Sequence, residues 1–574
     1  MKIASLLAYF IIILSVAFLQ CSGATSPDPE TIPSEDSTSK SKSVYYVCAS
    51  GHDTNSGTSS EEAWRTTRRV NEHSLQPGDT VRFKGGEVFD GDGLFLGQNE
   101  AGSADDPVRI QSFGDGRATI RPTEDVPGVF IFNTAGIIVD GLILEGNGIH
   151  ESSVDGILVY TDLPDNARLP YIRILNTDVH QFYQGIFLIA ESTDATFSGF
   201  DDVLIENTRV YNSLHNGIHT LGQYPGSESD QSHTYVTIRS CEVFNVPGDP
   251  NLGDTVPHSG SGIIMAGVKG GLIDRCYAHN NGGDGDTDTH GGPVGIWTWG
   301  SDSVTIQRSL VHDQKTGPSN TDGGGFDIDG GATNAVLQYN YSYNNFGAGY
   351  LLAGFDGAPP LTNATVRYNI SWGDGINPNG TMGAGIHLWK GNNTTLEDIT
   401  IHNNLLYATG DSNAVVTYQS GDMPEIRFYN NVIVGENGVP LIDIDSNTNF
   451  FELKGNAYWA PKGDWADKWQ WGGDRFDSLE EWRHATGNPE TMDGAPVGLQ
   501  IDPLIQSLTS GAQPTSVEEM LQMEAFRLLD NSPLHESGID LTTDAGIHPG
   551  DTDFFGTELP QGKSLSMGVH EPVW

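Results

Sequence analysis

The feature that most constrains this chain is a strand-like unit that recurs through its middle, aligned on a small residue that is usually glycine. The copies are GIFLIAE (185–191), GIHTLGQ (217–223), GIIMAGV (262–268), GIWTWGS (295–301), GFDIDGG (325–331), GYLLAGF (349–355) and GIHLWKG (385–391), with AVVTYQS (414–420) a looser eighth. The first and third residues after the glycine are mostly apolar, as in Ile186/Leu188, Ile263/Met265 and Phe326/Ile328. The second and fourth vary, and in three copies they are Trp297/Trp299, Asp327/Asp329 and His387/Trp389. Side chains on a strand alternate faces, so the first set is expected to point inward and the second outward. Aromatics, carboxylates and a histidine then share one external face, the pattern of a binding cleft.

A second aligned column supports the repeat. Thr177, Thr208, Cys241, Cys276, Ser309, Asn340, Asn369, Asn404 and Asn431 fall in register at intervals of 31, 33, 35, 33, 31, 29, 35 and 27 residues. Two or three short strands, Gly/Asn turns and a variable loop fit each period, and the run of asparagines predicts a polar ladder between stacked units. The 71 glycines and scarce helical periodicity agree with many short strands joined by turns. Because each unit of a stack buries its face on its neighbours, 574 residues need not mean several domains. No Trp-Asp blade signature recurs, against a propeller, and no L-x-x-L-x-L pattern appears, against leucine-rich repeats. Cys241 and Cys276, equivalent in successive units, are expected to stack or to bridge, and Cys48 has no evident partner.

These columns resemble the right-handed parallel β-helix of pectate lyases and polygalacturonases. VYYVCASGHDTNSG (44–57), LQPGDTVRFKGGEVFDG (75–91), DNSPLHESGID (530–540) and SMGVHEP (566–572) resemble the opening and closing segments of bacterial polysaccharide-degrading β-helix proteins. The resemblance spans residues 44–574 and implies an all-β solenoid acting on carbohydrate. The expected layout is an N-terminal cap and first coils over 44–130, the main β-helix over 131–446, and C-terminal coils with a capping segment over 447–574. A helix from Ser59 through Val70 to Leu75 is expected to cap the N-terminal end. The last region holds Trp459, Trp465, Trp469, Trp471, Trp482 and Trp574, read as sealing the C-terminal half, with walling of the cleft as the alternative.

The first residues read as an export signal: Lys2, an apolar run from Ile3 to Leu19, then Leu-Gln-Cys-Ser. Residues 1–24 form that signal. Cys21 is the candidate lipid-bearing cysteine of an outer-membrane lipoprotein, although Phe18 and Gln20 depart from the usual lipobox. Cleavage after Ala24, giving a secreted or periplasmic protein, is the competing reading. Residues 25–43 form a Pro/Ser/Thr/charged tether. The net charge of −46 argues against a nucleic-acid surface and works against long-range attraction of polyanions. A saline habitat accounts for such acidity equally well, and a monomer is expected.

Asp327 and Asp329 form the sharpest chemical signal, since two carboxylates two residues apart on a strand share a face, with Cα atoms roughly 6.5–7 Å apart. Glycosidic hydrolysis uses one protonated and one ionised carboxyl, and neighbouring carboxylates raise each other's proton affinity. Trp297 and Trp299, one coil earlier, are expected to offer flat apolar faces to a sugar. His387 is placed as an orienting or proton-donating residue, and Trp389, Lys390, His219 and Tyr418 as substrate contacts. Asp284, Asp286 and Asp288, followed by His290, have alternate spacing that suits calcium, although an EF-hand loop is incomplete. Asp322 is a further carboxylate at the rim. The favoured reaction is hydrolysis of a plant or algal polysaccharide or its oligosaccharides, with no cofactor required. Calcium-assisted β-elimination on a uronate, with Lys390 as base, is the alternative, and a non-catalytic glycan-binding surface protein the third reading. Asn176-Thr177-Asp178 and Asp201-Asp202 echo polygalacturonase strings but lie outside the Asp327 unit, so that active site is not carried over.

Overall fold

A computed structural model describes residues 42–572 apart from 224–229, 253–257, 285–291, 318–321, 378–381, 420–422, 445, 447, 488 and 560–563. The export signal with Cys21, nearly all of the tether, and Trp574 lie outside the described residues. The chain winds as a right-handed parallel β-helix. Among the described residues three long sheets of 15, 14 and 14 strands run along it, parallel throughout except where Asp474–Phe476 turns back on Trp469–Trp471.

The glycine alignment of the sequence is the physical register of one sheet. Ile263 pairs with Ile296, Ile296 with Phe326, Phe326 with Tyr350 and Tyr350 with Ile386. These side chains point inward and are wholly buried in one continuous core. Each contributes on the order of 1.5–3 kcal/mol by leaving water. The glycine recurs at the start of the strand because there is no room there for a side chain. A Cβ on Gly185 would lie 2.2 Å from Val210 Cγ1 and 2.5 Å from the Gly217 carbonyl oxygen.

The asparagine ladder is present inside another corner. Asn340 Nδ2 donates to Asn369 Oδ1 at 3.1 Å, Asn369 to Asn404 at 3.1 Å, and Asn404 to Asn431 at 2.9 Å. It runs two steps beyond the expected column, through Asn456 at 2.9 Å to the buried carboxylate of Glu490 at 2.7 Å. In every coil from Asn176 to Gly455 the preceding residue is left-handed, with φ between 50° and 69°, the bend that turns the ladder side chain inward. Cys241 and Cys276 stack in this column as free thiols, donating to the Ile205 and Ile238 carbonyls at 3.5 Å each.

The N-terminal helix is shorter than expected. It covers Thr67–Asn71 and is capped by Thr66. The carboxylate of Asp53 holds the Arg65 and Thr66 amides at 2.8 and 3.0 Å, which keeps residues 59–66 out of the helix. At the other end Trp469, Trp471 and Trp482 join the main core and close it. The chain after residue 500 packs on the outside of a different sheet from the one carrying Asp327, where Tyr341 Oη donates to Ala512 O at 2.6 Å and Trp372 Nε1 to Leu508 O at 2.9 Å. Trp469, Trp471 and Trp482 are therefore core residues and do not wall the cleft.

Candidate active site

Strand pairing places the outward residues in two columns. The first reads Phe187, His219, Ile264, Trp297, Asp327, Leu351, His387 and Thr417. The second carries Ala266 beside Trp299 and Ala353 beside Trp389. Asp329 follows the strand Phe326–Ile328, and its N–H donates to Thr298 O at 2.9 Å, which sets it next to Trp299. The expected columns of His219, Trp297, Asp327 and His387 thus coincide with the molecule's own register.

Asp327 and Asp329 are buried, at 2% and 5% exposure, and so is Asp322 in the turn that enters their strand. The Gly292 N–H donates to Asp322 Oδ2 at 2.7 Å. Loss of water pushes the Asp322 carboxyl up to about 7, with Asp329 adding to the effect and the Gly292 N–H opposing it. Burial likewise raises Asp329 to about 6, against hydrogen bonds from the Gly330 and Phe355 amides, the first at 2.6 Å. Asp327 is pushed well above the carboxylate range by burial and then by Asp329 and Asp322. Its Oδ1 is buried and has no hydrogen-bond partner among the described residues. Among the described residues, no cation is among the groups that shift these three carboxyls. The cluster therefore holds protons near neutral pH, with Asp329 the member best equipped to carry a charge.

The other expected residues are distributed unevenly. His387 is buried and its Nδ1 bonds the Thr417 hydroxyl, with Leu351 between it and Asp327 in the column. Trp299 and Trp389 are half-buried on the cleft face. Trp297 is not an exposed platform: at 3% exposure it lies under His258, with ring centroids 4.8 Å apart, and donates Nε1–H to Ser261 Oγ at 3.3 Å. The turn from the preceding coil covers a surface that would be costly to leave in water. Tyr418 is also corrected. It pairs with Leu388, faces the core and packs edge-on against Phe451 at 5.2 Å. Thr417 holds the outward position instead, because Ala414 pairs with Ala384 rather than Gly385, and a slip of one residue reverses the face. Lys390 is half-buried and donates to its neighbour Gly391 O at 3.1 Å. Asp284 is exposed, while Asp286, Asp288 and His290 lie outside the described residues. Among the described residues no group of three or more His, Cys, Asp or Glu side chains is placed to hold a metal ion. The contribution of Asp322 to the cluster has no periodic signal, and only its place before the glycine run pointed to it.

Residues 174–397 match the right-handed β-helix region family model. That stretch contains every carboxylate of the cluster. The chain is 26% identical over 490 residues to a lacto-N-biosidase of Bifidobacterium longum subsp. longum, covering 69% of this chain and 29% of that protein. It thus spans under a third of that relative's length. The GH136 lacto-N-biosidase of Eubacterium ramulus superposes with a TM-score of 0.50 at 17% identity, covering 67% of each chain. XylC in complex with xylose aligns over 92% of this chain and 98% of its own, with a TM-score of 0.48 and 11% identity.

Proposed function

We propose that this protein is a carbohydrate-active enzyme, a glycoside hydrolase that cleaves an oligosaccharide or polysaccharide with the Asp322/Asp327/Asp329 cluster. The observation that carries the reading is three buried carboxyls, of which Asp329 raises the proton affinity of both Asp322 and Asp327. Such a site holds one carboxyl protonated while another ionises, the division of labour that glycosidic cleavage needs. Asp329, with two backbone N–H donors, is the anion that stabilises or attacks the anomeric carbon, directly or through water. Asp322, whose proton affinity lies close to neutral, is the acid that protonates the leaving oxygen. Asp327 stays protonated between them and donates a hydrogen bond to substrate or to Asp329. His387, steadied by Thr417, lines the same column as a positioning residue. Half-buried Trp299 and Trp389 supply stacking faces for sugar rings.

The relationship to lacto-N-biosidases makes lacto-N-biosides the first substrates to test, beside plant and algal polysaccharides. No metal takes part in this scheme, so EDTA should leave the rate unchanged. The protein is read as an exported monomer, lipid-anchored through Cys21 or released. Incubation with a panel of such glycans should yield new reducing ends without absorbance from unsaturated uronates. That absorbance would instead establish elimination, and binding without either product would establish a non-catalytic glycan binder. Normal turnover by both Asp322→Asn and Asp329→Asn would remove the cluster from the mechanism.

A further inference from the structure

Phe355 follows the strand Tyr350–Gly354, in the coil next to the one that carries Asp329, and is half-buried. Among the described residues its ring joins none of the apolar clusters that build the core. Its surroundings lie toward the carboxylates instead. The ring stands edge-on to Trp299, with centroids 6.0 Å apart and planes 81° apart. It also covers Gly330. A Cβ on Gly330 would lie 3.3 Å from Phe355 Cε1 and 2.4 Å from Ala358 Cβ, so these two groups close the side where a side chain would stand. The Gly330 N–H is the donor to Asp329 Oδ1 at 2.6 Å. The Gly330 carbonyl accepts from the Gly300 N–H at 3.0 Å, beside Trp299. One ring therefore bears on both neighbours of the cleft, the peptide that holds Asp329 and the indole of Trp299.

The turn that carries Phe355 is itself fastened to the following coil. The Gly391 N–H donates to Gly354 O at 2.7 Å, and the Gly357 N–H to Asn392 O at 2.8 Å. The Asn392 N–H donates to Asp356 Oδ1 at 2.6 Å. Gly391 and Asn392 come directly after the strand Ala384–Lys390, which carries Trp389. The ring is thus held at a set height between the coils of Asp329 and Trp389.

We propose that Phe355 is a positioning residue for the cleavage reaction, bracing the Gly330 peptide that orients Asp329 and fixing the tilt of Trp299 against the bound sugar. The proposal rests on the reading of Asp329 as the anion of the reaction. The two neighbours give the brace two kinetic signatures. Slack at Gly330 displaces the carboxylate from the reacting carbon, which lowers kcat, and a displacement of about 1 Å costs up to about 10²-fold. Slack at Trp299 weakens stacking on substrate before and during reaction alike, which raises KM. A leucine at 355 separates them. It keeps apolar bulk over Gly330 and offers Trp299 no ring edge.

The test measures kcat, KM and melting temperature for wild type, Phe355→Ala, Phe355→Leu and Asp329→Asn on the best-cleaved glycan of the panel. Phe355→Ala should lower kcat at least about tenfold and raise KM about tenfold, with little change in melting temperature. Phe355→Leu should bring kcat back to within about threefold of wild type and leave KM raised, a split that general loosening of the fold does not produce. Wild-type constants in Phe355→Ala beside an inactive Asp329→Asn would overturn the proposal and leave the hydrolase reading standing. So would kcat lost equally in both Phe355 variants. Normal turnover by Asp329→Asn would overturn the two together. Crystal structures of wild type and Phe355→Ala decide the brace without any substrate. A displaced Trp299 ring and Gly330 peptide would uphold it, and both in their wild-type places would reject it.

Discussion

Replacing Asp322 by Asn should stabilise the protein in a way that depends on pH. The carboxyl lies at 3.8 in an unfolded chain and at about 7 in the fold, raised first by burial and then by Asp329. Below pH 4 both states hold the proton and the group costs nothing. As pH climbs toward 7 the unfolded chain releases the proton while the fold retains it, so stability is lost through that window and stays lost above it. A separation of about three pH units corresponds to roughly 4 kcal/mol. Asn keeps an oxygen to accept the Gly292 N–H and carries no charge. A cooperative unit as long as Lys42–Trp574 has an unfolding entropy on the order of 1 kcal/mol/K, so the gain amounts to about 4 °C. Thermal unfolding of wild type and Asp322→Asn should give similar melting temperatures near pH 4 and curves that separate by that amount at pH 8. Parallel curves over this range would refute the account of a desolvated acid at this position.

The same two groups define the rate profile. Activity should peak between about 6 and 7, falling on the acid side as Asp329 is protonated and on the alkaline side as Asp322 loses its proton. Asp322→Asn should lower kcat about 10²–10⁴-fold and abolish the alkaline limb, and a retained limb would reassign the acid. Asn404 accepts the Asn369 N–H at 2.9 Å and donates to Val366 O at 2.9 Å and His402 O at 3.0 Å. Asn404→Ala orphans all three and should cost at least about 3 kcal/mol in denaturant unfolding. Tyr418→Ala should cost about 3–5 kcal/mol as a core truncation and leave KM unchanged. A raised KM at constant stability would return Tyr418 to the cleft.

The fold was legible wherever steric need forced one residue type. At Gly185 and Gly217 a Cβ would come within 2.2 Å of a valine methyl, so glycine recurs and fixes the register. The corner at Gly385 is looser, with the nearest atoms at 3.0 and 3.3 Å, and the next coil carries Val415 there. Without its glycine the last copy invites alignment one residue out, and Tyr418 changes face. The carboxylate pair was legible because two strand positions of one parity share a face. Asp322 joins them through a single bond to the Gly292 backbone, 30 residues away in sequence, which no periodicity encodes. Burial of Trp297 was illegible for a related reason, since His258, which covers it, belongs to the irregular turn before the strand Ser261–Ala266.

Three buried carboxyls in one cluster are destabilising when they ionise, and the solenoid explains why this one persists. Each coil is held to its neighbours by three strands and by the ladder, so strain at the Asp327 coil is shared by pairings on both sides. The asparagines from Asn340 to Asn456 begin in the coil of Asp327 and continue through the following four, where each amide both donates and accepts within the core. The coils before it use threonine, cysteine and serine at the same corner, which make fewer bonds between coils. The best-bonded stretch of the stack therefore begins where the least favourable charges sit. Weakening the ladder at Asn340 should consequently loosen the carboxylate cluster as well as the corner, whereas the same change at Thr208 should act on stability alone.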